Sequence, residues 1–133
     1  MKTQSTILIC DDEEELAQEL GEFFLHQGWR VEVCFSGGAA IERLRAGLAP
    51  DVLITDLRIA GFDGGEVLAE AHALPPAHRP IMSIIITGHV LDSATHLDFG
   101  CDRLYVKPVD PDILLSDIRG FIAQRGEMAE TAG

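Results

Sequence analysis

Residues 52–56 read Val-Leu-Ile-Thr-Asp, an almost wholly aliphatic run closed by an acid. A short apolar run with no polar alternation is the mark of a strand buried on both faces, as in the middle of a parallel sheet. Comparable runs at Thr6–Cys10, Arg30–Phe35, Met82–Ile86 and Arg103–Val106 predict four more strands.

Amphipathic stretches separate these runs. Leu16, Leu20, Phe23, Phe24 and Gln27 follow helical spacing, and Gly28 stands where a helix C-terminal glycine relieves left-handed strain. A second helix is expected over Gly37–Ala46, with Ser36 as N-cap and Ile41, Leu44 and Leu48 facing inward. A third is expected over Gly65–Ala73, carrying Val67, Leu68, Ala71 and Leu74 on one face, and Pro75, Pro76 and Pro80 stop it. Val90–Phe99 is rich in mediocre helix formers and predicts a fourth helix that is short or mobile. The last helix is expected to begin at Pro111 and to bury Leu114, Leu115, Ile118, Phe121 and Ile122. Residues Arg125–Gly133 show no periodicity and read as a flexible tail or the start of a linker. The alternation describes an α/β fold of repeated βα units around a parallel sheet. The 133 residues suffice for one such domain.

A net charge of −12 opposes binding to nucleic acid phosphates or to an anionic membrane surface. Cys10, Cys34 and Cys101 are odd in number and show no metal-ligand spacing, so they read as buried thiols. With neither a long apolar span nor a signal-peptide pattern, the expected compartment is the cytoplasm. Lysines occur only at positions 2 and 107, which draws notice to Lys107, directly before Pro108.

Ligands of open parallel sheets bind beyond the carboxyl ends of the strands. Those ends carry Asp11 and Asp12 after the first strand, Asp56 after the third, Thr87 after the fourth and Lys107 after the fifth. Three acids on one rim repel one another unless a cation sits among them, and a hard divalent ion such as Mg2+ suits an all-oxygen donor set. An ammonium and a hydroxyl beside it could stabilise a phosphoryl group carried by Asp56 as nucleophile. Glu14 and Glu15 read more simply as acids favouring the positive end of a helix dipole.

The order ILICDDEEEL, VLITDLRIAGFDGGEVL, IIITGH and YVKPVD, each following a predicted strand, resembles the receiver domain of bacterial two-component response regulators over residues 5–124. The resemblance implies a doubly wound, flavodoxin-like (βα)5 fold with a five-stranded parallel sheet of order 2-1-3-4-5. It implies that Asp56 accepts a phosphoryl group from a sensor histidine kinase or histidine phosphotransfer protein. Asp11, Asp12, Asp56 and the backbone carbonyl of Arg58 would hold Mg2+, for which Mn2+ could substitute, and Thr87 and Lys107 would bind the phosphoryl group. The Lys107-Pro108 bond is expected to be cis, and Gly64 to turn the loop after the third strand. The resemblance further implies that Arg58 and His89 would tune the lifetime of the acyl phosphate.

The expected recipients are a downstream effector protein or a covalently linked output domain. Homodimerisation through residues 90–99, the fifth strand and the last helix is a further expected use of the output face. Three departures stand out. The loop Ile59-Ala60-Gly61-Phe62-Asp63-Gly64 lacks the usual proline, and the interval from Thr87 to Gly100 is shorter than usual. Leu104 also replaces the switch aromatic of the output face, with Tyr105 one residue late and therefore aimed at the opposite side of the sheet.

On this reading the chain is a signalling switch that catalyses only its own phosphorylation and dephosphorylation, not an enzyme acting on an external substrate. A magnesium-dependent phosphatase with an aspartyl nucleophile would need a second acid where Arg58 stands. A flavin-binding module would need a hydroxyl- and glycine-rich first turn in place of the acidic run. A receiver-like scaffold without phosphorylation is opposed by the intact Asp, Thr and Lys set.

Overall fold

A computed structural model describes residues 4–59, 62–88 and 100–132, except for the side chains of 58–59, 62–64 and 126–132. Its main sheet holds β1 (Thr6–Cys10), β2 (Arg30–Cys34), β3 (Val52–Thr55), β6 (Met82–Thr87) and β7 (Arg103–Val106). All pairings in it are parallel and the order is β2-β1-β3-β6-β7, which is 2-1-3-4-5 for these five strands. The sheet thus has the predicted topology. Two further strands, β4 (Arg58–Ile59) and β5 (Phe62–Asp63), form a small antiparallel pair where the sequence suggested only a loop.

Aliphatic side chains on alternate sheet faces build two cores. On one face Ile7, Ile9, Ile54, Ile84 and Ile86 pack against Ala17 and Phe24 of α1 (Glu14–His26), and against Leu114 and Ile118 of the last helix. On the other, Leu8, Leu53 and Ile85 meet Ala40 and Leu44 of α2 (Gly37–Arg45) and Val67, Leu68 and Ala71 of α3 (Gly64–His72). Every residue of β1, β3 and β6 is buried, as continuous apolar runs require, whereas β2 and β7 have the mixed exposure of edge strands.

The helix ends follow local chemistry. Ser36 Oγ accepts from the Ala39 backbone N–H at 3.2 Å and caps α2. Gly28 has φ +90° just beyond α1, a conformation that strains residues with a side chain. Of the predicted stripe of α1, Phe24 is buried, Leu16, Leu20 and Phe23 are only half-buried and Gln27 is exposed, while the small residues Ala17 and Gly21 complete the buried centre. Small residues let the helix approach the sheet, since a Cβ on Gly21 would lie 2.9 Å from Val33 Cγ2. The last helix, α4, begins at Pro111 as expected but continues to Ala132 through the segment read as aperiodic. Good helix formers such as Glu127, Met128, Ala129 and Glu130 carry it onward. The segment 90–99, where the fourth predicted helix falls, lies outside the described residues.

Asp51 secures the end of the sheet remote from the acidic rim. Its Oδ2 accepts from the Thr6 N–H at 2.8 Å, and its carbonyl accepts from Ile81 and Met82. One residue thereby aligns the entries of β1, β3 and β6 and fixes which residues emerge at the opposite end.

Candidate functional site

Register brings the acids together. Cys10 is the partner of Thr55, so Asp11 and Asp56 are the next residues on adjacent strands, and the Asp56 N–H donates to the Cys10 carbonyl at 3.0 Å. Asp11 and Asp56 are buried, Asp12 is exposed, and the three present carboxylate oxygens within 4.8 Å of one another. Hard oxygen donors at this spacing can hold a divalent cation. The Arg58 backbone lies in β4, on the same strand-to-hairpin passage as Asp56, whereas its side chain and His89 fall outside the described atoms.

Lys107 enters from β7 through a cis Lys107-Pro108 bond. Its Nζ donates to Asp56 Oδ2 at 2.7 Å, and lies 2.8 Å from Asp11 Oδ2 and 2.9 Å from Glu13 Oε1. Burial lowers the pKa of this ammonium, but hydrogen bonds to Asp11, Asp56 and Glu13 outweigh burial and carry it upward overall. Thr87, wholly buried at the end of β6, accepts the Lys107 N–H on its carbonyl at 2.8 Å. The predicted Asp11, Asp12, Asp56 and Lys107 therefore meet at one rim, with Thr87 tied to it through the backbone of Lys107.

Glu13 is the member that the sequence reading missed. It follows the paired acids, but its partner lies 94 positions away, beyond the reach of local pattern. Asp11 also organises the entry to α1: its Oδ1 accepts from the Glu13 N–H at 3.0 Å, while Glu14 and Glu15 occupy the first turn as the dipole argument requires.

Inward of the acids lies a cavity of about 300 Å³ with largely apolar walls, including Ile9, Leu20, Ile54, Ile86 and Val109. Burial raises the pKa of Asp11 despite its hydrogen bonds from Lys107 and the Glu13 backbone. A carboxyl whose folded pKa lies above the unfolded value is more favourable to folding when neutral, and that contribution is lost as pH rises through the folded pKa. Asp11→Asn should therefore have a higher urea midpoint than the parent at pH 7 in chelator, with the gain fading as pH falls toward the ordinary value of 3.8. An equal or lower midpoint at pH 7 would contradict this.

Leu104 and Tyr105 part as strand alternation predicts: Leu104 packs against the α2 and α3 core and Tyr105 against the α1 and α4 core. Tyr105 Oη donates to Asp117 Oδ2 of α4 at 2.6 Å. Burial, then this bond, raises the phenol's pKa. The aromatic is thus anchored on the face opposite Leu104.

The sequence pattern of the response regulator receiver domain matches residues 7–119. The chain belongs to this family. Among curated relatives, the transcriptional regulatory protein TrcR of Mycobacterium tuberculosis is 28% identical over 126 residues, spanning 95% of this chain and 48% of TrcR. Response regulator ArlR of Staphylococcus haemolyticus is 27% identical over 121 residues, 91% of this chain and 54% of ArlR. This receiver domain therefore spans about half the length of the curated relatives it matches. A CheY-like receiver domain from Methanospirillum hungatei JF-1 superposes with a TM-score of 0.81 at 26% identity, covering 94% of this chain and 99% of its own. Among the described residues no helix is long and apolar enough to cross a membrane.

Proposed function

We propose that this receiver domain is a phosphorylation-dependent switch in which Asp56 accepts a phosphoryl group from a histidine-bearing donor. The observation that carries this reading is the convergence of Asp11, Asp12 and Asp56 at one rim, with the Lys107 ammonium on Asp11 and Asp56. Mg2+ fits the donor set: Asp11, Asp12 and Asp56 would hold it with the Arg58 carbonyl, and Mn2+ would serve in its place. The bound ion supplies charge neutralisation for a phosphoryl group approaching three acids. Lys107 adds a fixed cation and Thr87 a hydroxyl, so transfer proceeds by positioning and charge compensation.

The Asp56 carboxylate attacks phosphorus in line, and the bond to the donor's leaving group breaks with the electron pair departing on that group. The domain turns over no external substrate. Its donor is a sensor histidine kinase or histidine phosphotransfer protein. The recipient of the signal is an effector protein or a linked output domain, the latter in keeping with relatives about twice its length. Arg58 and His89 tune acyl phosphate lifetime, and β7 with α4 contributes to the output face, where self-association is a further use.

Exposure to acetyl phosphate with Mg2+ should add the mass of one phosphoryl group to the protein, and chelation of the metal should suppress the addition. Modification that proceeds equally in chelator would remove the cation from the reading.

A further inference from the structure

The ammonium of Lys107 has three N–H donors, and three carboxylates surround it: Asp11, Asp56 and Glu13, at 2.8, 2.7 and 2.9 Å. The first two belong to the acid triad that can hold a cation, and Glu13 does not. Glu13 also differs in exposure: its side chain is 61% accessible, against 10% for Asp11 and 9% for Asp56. It stands at the mouth of the site with water on one side and the ammonium on the other. Its side chain makes no capping bond to α1, the adjacent turn being held by Asp11 Oδ1 through the Glu13 backbone N–H.

We propose that Glu13 is a positioning residue that restrains Lys107 and opposes the arrival of a phosphoryl group at Asp56. The inference rests on the reading of Asp56 as phosphoacceptor. A phosphoryl group on Asp56 must be neutralised by the same ammonium that Glu13 contacts, which places two anions on one cation. Glu13 exchanges no atoms in the transfer. When acetyl phosphate is the donor, the new bond joins Asp56 Oδ to phosphorus and acetate leaves with its electron pair. The effect of Glu13 is a like charge a few ångströms from the incoming dianion, together with competition for one ammonium hydrogen. At so exposed a position this repulsion acts through solvent and weakens with ionic strength.

Glu13→Gln keeps the side-chain length and an acceptor oxygen for Lys107 while removing the charge. At low ionic strength and saturating Mg2+, its rate of modification by acetyl phosphate should be about three- to fivefold above the parent. The ratio should fall toward one as the salt approaches ~1 M. Phosphoramidate carries less negative charge and should show a smaller gain, which a merely structural role for Glu13 would not produce. Glu13→Asp, with its charge retained, should stay closer to the parent than Glu13→Gln does. Equal rates for parent and Glu13→Gln at low salt, or a gain independent of both salt and donor charge, would overturn the proposal while leaving Asp56 as acceptor. Failure of the parent itself to be modified by either donor would defeat both.

Discussion

Asp56→Asn is expected to abolish phosphoryl acquisition from acetyl phosphate and Mg2+ while the protein remains folded. The amide is nearly isosteric with the carboxylate, and the backbone bond from Asp56 to Cys10, which locks β3 to β1, is untouched. What disappears is the nucleophilic oxygen anion. Neighbouring acids are poor substitutes for distinct reasons. Asp11 has one oxygen on the Glu13 N–H and the other on Lys107. Asp12 is exposed, outside the partly dry wall that strengthens charge stabilisation at the buried pair. Intact-mass measurement on parent and variant, with circular dichroism to confirm folding, checks this. Full modification of the variant would move the acceptor elsewhere.

Lys107→Ala is expected to lower metal-free stability by about 3 kcal/mol, the scale of breaking a buried ion pair on one side. Asp11 and Asp56 are both buried, and removal of the ammonium takes away the cation that bridges them. Mg2+ should therefore restore more stability to the variant than it adds to the parent, because metal charge replaces the lost ammonium. Transfer should slow about a hundredfold, as when one preorganised donor to a developing charge is removed. Urea denaturation with and without Mg2+ gives the first two quantities, and the time course of mass addition gives the third. An unchanged urea midpoint in chelator would show that Lys107 does not balance the acids. Its sign is opposite to that expected for Asp11→Asn, as it must be if the metal-free rim carries excess negative charge.

Much of this was legible in the sequence because the signals are local. Unbroken aliphatic runs marked the central strands, and the parallel topology carries the residue closing each strand to one rim, so Asp11, Asp56, Thr87 and Lys107 could be named without knowing any distance. Strand parity likewise separated Leu104 from Tyr105. Features that depend on long-range approach or on small residues were hidden. Gly21 lies at the centre of the inward face of α1 because it lacks a side chain, so a search for large apolar residues passes over it. The β4–β5 pair is too short for periodicity to register. Asp51 and Glu13 take their roles from partners far along the chain.

The central claim is that a phosphoryl group resides on Asp56, and locating it on the protein is the most direct measurement. After brief exposure to acetyl phosphate and Mg2+, reductive trapping of the acyl phosphate followed by peptide mapping should mark Asp56 and leave Asp11 and Asp12 unmarked. A trapped label on either of those two residues, or none on the peptide containing Val52–Asp56, would contradict the account.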